Sequence, residues 1–278
     1  MNDSRPTAAL ASPRAAGRSF VQSSAFEVLA RAGFVARGLV YAIIGVLALK
    51  LAFGHGGKLT NQQGALKTVA QQPFGKFLLV ALAIGLGGYA IWRLTRAALG
   101  HGREESDSGF DRVAGLVSGI AYGALCVTAI AILAGAGSGG SSSPKKATGG
   151  VLDWPAGPAL VAIVGAILIG VGLYQVYKGL AGKFLETSKT HEMPDAVEMP
   201  FTALGVLGHV ARGAVFTLIG YFLIKAAIDY DPNKAVGLDG ALRKVEHASY
   251  GPLLLGIVAG GFIMFALYSI ADARYRKV

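Results

Sequence analysis

The sequence contains few charged residues for its length. Only 15% of its 278 residues are charged, whereas 53% are hydrophobic. A soluble domain carries about 25% charged residues. This shortage of charge, combined with 40 glycines, is typical of a multi-span membrane protein, in which small residues allow helices to approach closely.

The groups that usually carry catalysis or bind metal are also missing. The single cysteine, Cys126, lies in an apolar run, which excludes an intrachain disulfide framework and a cysteine-based metal site. The histidines lack the HExxH spacing, and paired membrane haem ligands are absent. No phosphate-binding loop, GxSxG motif or Ser–His–Asp pattern is present. The sequence therefore predicts no metal, no cofactor and no enzymatic activity.

Carboxylates are absent from the middle of every predicted transmembrane span. Glu27, Asp229 and Asp272 fall only at the ends of spans. Proton-coupled carriers and cation channels usually need intramembrane carboxylates, so their absence argues against both classes. The charge that does lie within the spans is positive.

The net charge of +10 does not indicate a nucleic-acid partner. The basic residues are scattered at the ends of apolar runs, and no nucleic-acid-binding motif is present. Anionic lipid headgroups are the expected partner of such flanking charges. A membrane partner protein or a second copy of the chain is also compatible with the sequence.

The most informative pattern is an internal repeat. The stretch Ala30–Gly45, ARAGFVARGLVYAIIG, returns as Gly205–Gly220, GVLGHVARGAVFTLIG, with Arg37 aligned on Arg212. A weaker copy, GLVSGIAYGALC, lies between them and has Ser118 in place of the arginine. Self-similarity at a fixed period predicts a repeated architecture.

Six apolar runs have the length of about 20 residues that a transmembrane helix requires. They group into three two-helix units at 25–100, 109–184 and 200–278, after a disordered basic arm at 1–24. Units 1 and 3 each contain a short amphipathic segment, GALKTVAQQPFG or GALRKVEHASYG, expected to lie in the membrane interface. The Gly/Ser-rich loop of unit 2 is expected to lack this helix.

The distribution of arginine predicts the orientation. Twelve of the thirteen arginines lie on the side of the termini and linkers, which the positive-inside rule places in the cytoplasm. We therefore expect a multi-pass protein of the bacterial inner (plasma) membrane with both termini cytoplasmic. Trp92, Tyr174 and Tyr268 occupy equivalent places in the three units and predict an aromatic girdle at the interface, the alternative being an aromatic substrate platform.

The motif ARxGFxARGxVYxxIG, repeated in a six-span chain, resembles a family of bacterial six-helix membrane proteins (domain of unknown function 1206). In that family a two-helix unit occurs three times. The resemblance extends from about Ala25 to the C-terminus. It implies an all-α membrane fold and a membrane location, and it brings no activity with it.

Arg37 and Arg212 are the leading candidate site residues. Each is expected roughly 8–12 Å inside its span, at 1.5 Å per residue. A charge at that depth costs on the order of 1–3 kcal/mol unless it reaches the interface or finds a partner. The two guanidinium groups either line the inside of a bundle and bind an anion or headgroup, or reach cytoplasmic phosphates or a neighbouring helix end.

Three further residues complete the candidate set. Tyr41 shares a helical face with Arg37, because the two are four residues apart. Ser118 takes the place of the arginine in unit 2. His209 is either a proton-handling or ligand-binding group, or a histidine satisfied by a nearby carbonyl.

Two functions from different classes follow. The first is a non-enzymatic scaffold or accessory protein that binds lipids or a partner. The second is a passage for an anion or small polar solute, with Arg37 and Arg212 selecting charge. A membrane-embedded enzyme ranks third because no nucleophile or metal set is visible.

Overall fold

The structure, a computed structural model, describes residues 24–99, 109–135 and 144–277. The predicted basic arm lies outside this part of the chain except for Ser24, and so does the linker at 101–108. The described residues form nine α-helices and no strand. The helices are α1 Ser24–Ala52, α2 Gln62–Ala70, α3 Gly75–Leu99, α4 Gly109–Leu133, α5 Pro144–Leu152, α6 Gly157–Leu180, α7 Asp195–Ile228, α8 Leu238–Glu246 and α9 Gly251–Tyr275.

Six of these helices (α1, α3, α4, α6, α7 and α9) are long and apolar enough to cross a membrane. The predicted all-α architecture is therefore confirmed. The largest cluster of buried apolar side chains involves α1, α3, α7 and α9. In their most apolar stretches α1 is 56% buried, whereas α4 is 11% and α6 is 17% buried.

The short helices correct one expectation. Helices α2 and α8 form where units 1 and 3 predict them, and α2 is capped by Asn61, whose side chain accepts a hydrogen bond from the Gly64 amide at 3.0 Å. Unit 2, however, also has a short helix, α5. Its adjacent glycines give it poor intrinsic helix propensity. Burial of Thr148 and Leu152 outweighs that propensity.

The six long helices pack in the order α4, α3, α1, α9, α7, α6. Each neighbour in this order is either the other helix of the same repeat or a helix of the adjacent repeat. Helices α4 and α6 belong to the same repeat, yet within the described ranges they share no comparable contact. The arrangement is therefore open inside repeat 2.

The three contacts between repeats are built on the same pattern. At each one a glycine from the first helix of a repeat lies against the second helix of the repeat that comes next in this packing order. An added Cβ would fall within 2.8 Å of the facing side chain in all three cases. The pairs are Gly38 with Ile270, Gly119 with Leu94, and Gly213 with Val176.

Within the described ranges, close packing between the two long helices of one repeat is found in repeats 1 and 3. It also depends on glycines at equivalent positions, which are Gly33 and Gly85 in repeat 1 and Gly208 and Gly261 in repeat 3. In the register of the repeats, Ala114 and Ile167 stand at these positions in repeat 2. Ile167 is 58% exposed. Because these side chains prevent the close approach that glycine permits, the substitutions explain why α4 and α6 are apart.

A reciprocal size exchange preserves the contact between α3 and α4. Repeats 1 and 3 place a glycine against an isoleucine, as Gly45 does with Ile263. At the contact between α3 and α4, Cys126 stands at the position of this glycine, and Gly87 stands at the position of the facing isoleucine. The Cys126 thiol donates to the Ala83 carbonyl at 3.2 Å. Small and large residues have changed sides, so the interface remains filled.

This exchange predicts a thermodynamic coupling. Gly87→Ile should destabilise the protein by about 1–3 kcal/mol, because a Cβ on Gly87 would already lie 3.2 Å from the Cys126 sulfur. Adding Cys126→Gly should restore stability, since the double variant has the pairing of repeats 1 and 3. Unfolding free energies in detergent of the wild type, both single variants and the double variant measure the coupling. Strictly additive effects would contradict it.

Candidate functional site

Arg37 is held inside the bundle by three helices. Its side chain belongs to α1 and the residue is only 6% exposed. The Nε atom donates to Ser269 Oγ of α9 at 2.8 Å, and Nη1 donates to Tyr89 Oη of α3 at 2.8 Å. Nη2 lies 3.8 Å from Asp272 Oδ2. The guanidinium therefore connects the first repeat to the third.

Asp272 is the residue that sequence reasoning missed. The sequence places it at the end of a predicted span. In the structure it is 1% exposed and lies between Arg37 and Arg276, and Arg276 Nη1 is 3.5 Å from Asp272 Oδ2. Ser188 Oγ donates to its other oxygen at 3.2 Å. The available signal was the spacing of three residues between Ser269 and Asp272, which places both acceptors on one face of α9.

Aromatic rings enclose the Arg37 guanidinium. Its Cζ lies 4.8 Å from the ring centroid of Phe34, 5.2 Å from Tyr89 and 5.1 Å from Phe265. Such distances allow cation–π attraction, which is stronger for a desolvated cation. Arg93 also donates to the Tyr89 hydroxyl, at 2.9 and 3.0 Å. Hydrogen bonds, a carboxylate and rings together satisfy the buried charge of Arg37.

Arg212 is enclosed by rings and has no acceptor among the residues that the structure describes. Its Cζ lies 4.2 Å from the ring centroid of Phe265, 5.2 Å from Tyr41 and 5.4 Å from Phe216. Its Nε is buried without a hydrogen-bond partner. Across the described residues no hydrogen bond or ion pair to this guanidinium is found, so the two equivalent arginines have different surroundings.

The register of the repeats accounts for part of this difference. Two of the three acceptors of Arg37 have counterparts that cannot bind a guanidinium, whereas the third counterpart, Gln175, keeps an amide oxygen. Phenylalanine has no hydroxyl to accept a hydrogen bond, and lysine repels a guanidinium instead of pairing with it. The counterparts are Phe265 for Tyr89, Gln175 for Ser269 and Lys178 for Asp272.

The structure brings four of the five candidate residues together around Phe265. Tyr41 is 4% exposed, and its ring centroid lies 5.0 Å from that of Phe265. Both arginines lie over the same ring, and the centroid of His209 is 5.6 Å away. Ser118 does not join this cluster. It lies on α4, where its hydroxyl donates to the Gly115 carbonyl at 3.1 Å.

His209 has the surroundings of a histidine satisfied by its own helix. Its Nδ1 lies 2.7 Å from the Gly205 carbonyl oxygen, one turn earlier. Its ring stacks on Phe184 with centroids 5.2 Å apart. Of the two alternatives for this residue, the carbonyl-bound one agrees with the geometry.

The expected aromatic girdle requires a correction. Trp92 and Tyr268 are 1% and 2% exposed, whereas Tyr174 is 36% exposed. Trp92 packs on Phe34 with centroids 5.1 Å apart, and Tyr268 packs on Phe201 at 5.0 Å. The ends of α3 and α9 are covered by other parts of the chain. Of these three residues, Tyr174 alone is exposed at the surface of the described bundle.

Two surface cavities lie away from the arginine cluster. One of about 290 Å³ is a groove between α1 and α2, and the other of about 360 Å³ is lined by Arg31, Glu192, Pro194, Arg274 and Tyr275. Neither is lined by Arg37 or Arg212. Within the described ranges, no three His, Cys, Asp or Glu side chains gather as a metal site would need.

Comparison with known proteins agrees with the repeated architecture. The family profile described as "Domain of Unknown Function (DUF1206)" matches residues 32–100, 113–182 and 207–276. Each match falls on one pair of long helices. The chain is 34% identical over 252 residues to "Uncharacterized protein YxxB" of Bacillus subtilis (strain 168), covering 89% of this chain and 90% of that protein. No solved structure matches the chain significantly.

Proposed function

The chain belongs to the family described as Domain of Unknown Function (DUF1206), and on that premise we propose that it is a non-enzymatic scaffold or accessory protein that binds lipid or a membrane partner. Its place is the bacterial inner membrane, which it crosses six times. The arginine-rich ends and linkers support cytoplasmic termini.

The surroundings of Arg37 carry this proposal. A charge-selecting passage needs guanidinium groups that a passing solute can reach. Arg37 is 6% exposed, and its nitrogens are directed at Ser269, Tyr89 and Asp272. The group is used to join α1 to α3 and α9, which is a structural task.

The exposure of α4 and α6 adds support. Only 11% and 17% of their most apolar stretches are buried within the chain. A protein that presents so much apolar helix surface on either side of an opening is suited to hold lipid or a partner helix.

One observation favours the second candidate, passage of an anion or small polar solute. Arg212 is partly exposed and has no acceptor among the described residues. A transient anion could use this group without competing with a resident carboxylate.

Flux measurements separate the two functions. We expect vesicles reconstituted with the wild type to pass chloride no faster than protein-free vesicles, and Arg212→Ala to behave alike. Lipid extracted from the purified protein should be enriched in anionic phospholipid relative to the source membrane. Chloride flux that the wild type supports and Arg212→Ala abolishes would replace the scaffold proposal with permeation.

A further inference from the structure

Two partly exposed polar groups lie inside the bundle, whose described long helices leave an opening between α4 and α6. Partly exposed Arg212 lies beside Tyr41, and partly exposed Tyr122 of α4 packs on Tyr89 with centroids 4.6 Å apart. The polar groups of this part of the bundle are thus a cation and a hydroxyl donor.

The outer parts of the two helices are apolar. Both expose aliphatic side chains that no other described element covers. They are Leu116, Ile120 and Val127 on α4, and Ile163, Val164 and Ile167 on α6. A ligand that fits both features has an anionic end and hydrocarbon chains.

The depth of Arg212 fits a headgroup. It follows His209 by three residues, or about 5 Å along the helix axis. The His209 ring stacks on Phe184, which belongs to the polar linker after α6. Arg212 therefore lies about one turn below the level at which this linker touches α7, and a long basic side chain reaches toward the interface over such a distance.

We propose that Arg212 binds the phosphate of an anionic phospholipid that enters sideways between α4 and α6. Tyr122 is placed to donate a second hydrogen bond to the phosphate, and the acyl chains lie against the exposed faces of the two helices. Arg37 cannot serve in this way because its nitrogens already bind Ser269 and Tyr89 and pair with Asp272. The inference rests on the proposed function and names its ligand and site.

A free anion fits the site less well than a lipid does. The borders of the opening are aliphatic, and such surface gains nothing from a small hydrated ion. A lipid satisfies the guanidinium and covers the apolar surface at once. Charge-assisted hydrogen bonds to phosphate are strong and geometrically specific for arginine.

Lipid binding to the full chain tests the proposal. The protein, delipidated in mild detergent, is titrated with phosphatidylglycerol or phosphatidylcholine and bound lipid is counted by native mass spectrometry. We expect preference for phosphatidylglycerol, and about a tenfold weaker affinity in Arg212→Gln, the effect of losing one charge-assisted hydrogen bond. Arg243→Gln is the matched control, because it removes an exposed arginine of α8, a helix that packs on α7 and α9, and it should bind like the wild type.

A second variant tests the role of Tyr122, and a competing anion distinguishes lipid binding from phosphate binding. Tyr122→Phe keeps the ring and removes the hydroxyl, so it should weaken phosphatidylglycerol binding by a few-fold. Arg212→Gln should fold, because this side chain has no acceptor to lose among the described residues. Unchanged phosphatidylglycerol affinity in Arg212→Gln overturns the inference, as does displacement of the lipid by millimolar inorganic phosphate or a dimer covering α4 and α6. Arginine-dependent chloride flux instead overturns the proposed function.

Discussion

Asp272→Ala is expected to lower the free energy of unfolding by about 3–5 kcal/mol, because it leaves two buried guanidinium groups, Arg37 and Arg276, without their shared carboxylate. Asp272 is 1% exposed, so water does not replace the lost partner. The variant also removes one of the acceptors of Ser188, and with it the hydrogen bond that ties the linker after α6 to α9. Thermal unfolding and denaturant titration in detergent measure the effect.

Glu27→Ala is the matched control for this prediction. Glu27 pairs with Arg31 on α1, but the two side chains are 49% and 31% exposed. An exposed ion pair of this kind contributes less than about 1 kcal/mol. Equal effects of Asp272→Ala and Glu27→Ala would show that the buried cluster does not stabilise the join between repeats 1 and 3. Asp272→Asn keeps the shape of the side chain without its charge, so its loss of unfolding free energy should lie between those of Asp272→Ala and Glu27→Ala.

The all-α fold and its repeats could be predicted from the sequence because they depend on local patterns. Apolar length fixes the six long helices, and the motif that contains Arg37 recurs with Arg212 at its equivalent position. The partner of Arg37 could not be predicted in this way. Asp272 is more than two hundred residues away, and only the packing of α1 on α9 brings the charges together.

The short helix α5 and the buried Trp92 were missed for a related reason. Propensity and composition describe a segment in isolation, whereas Thr148 and Leu152 of α5 gain their stability from neighbours. Trp92 near a helix end fits an interface position equally well until Phe34 is seen to cover it. In both cases tertiary contact outweighed a local preference.

The opening in repeat 2 follows from residue differences that are visible in the sequence, but only the structure shows their effect. The loss of arginine at Ser118 is the visible difference between the repeats. The loss of glycine at the positions of Ala114 and Ile167 is less visible, yet it removes the close contact between α4 and α6. Because repeats 1 and 3 retain both features, the divergence of repeat 2 creates the asymmetry on which lipid access to Arg212 depends.

Gly33→Ala and Gly208→Ala should each disrupt the packing within a repeat. A Cβ on Gly33 would lie 2.6–2.8 Å from the Tyr89 backbone and Cβ, and one on Gly208 would lie 2.6–2.8 Å from those of Phe265. Backbone cannot yield as a flexible side chain can, so we expect losses of about 3 kcal/mol or more, at the upper end for overpacking. The readouts are unfolding free energy in detergent and the yield of monodisperse protein.

Gly260→Ala on α9 is the control that distinguishes packing from a general effect of glycine. No atom lies within 4 Å of a Cβ placed there. In a helix interior the change from glycine to alanine then stabilises by about 0.5–1 kcal/mol. Opposite signs at Gly33 and Gly260 are the expected result. If Gly33→Ala were as stable as the wild type, α1 and α3 would not be in the close contact that positions Tyr89 against Arg37, and the account of the buried cluster would fail with it.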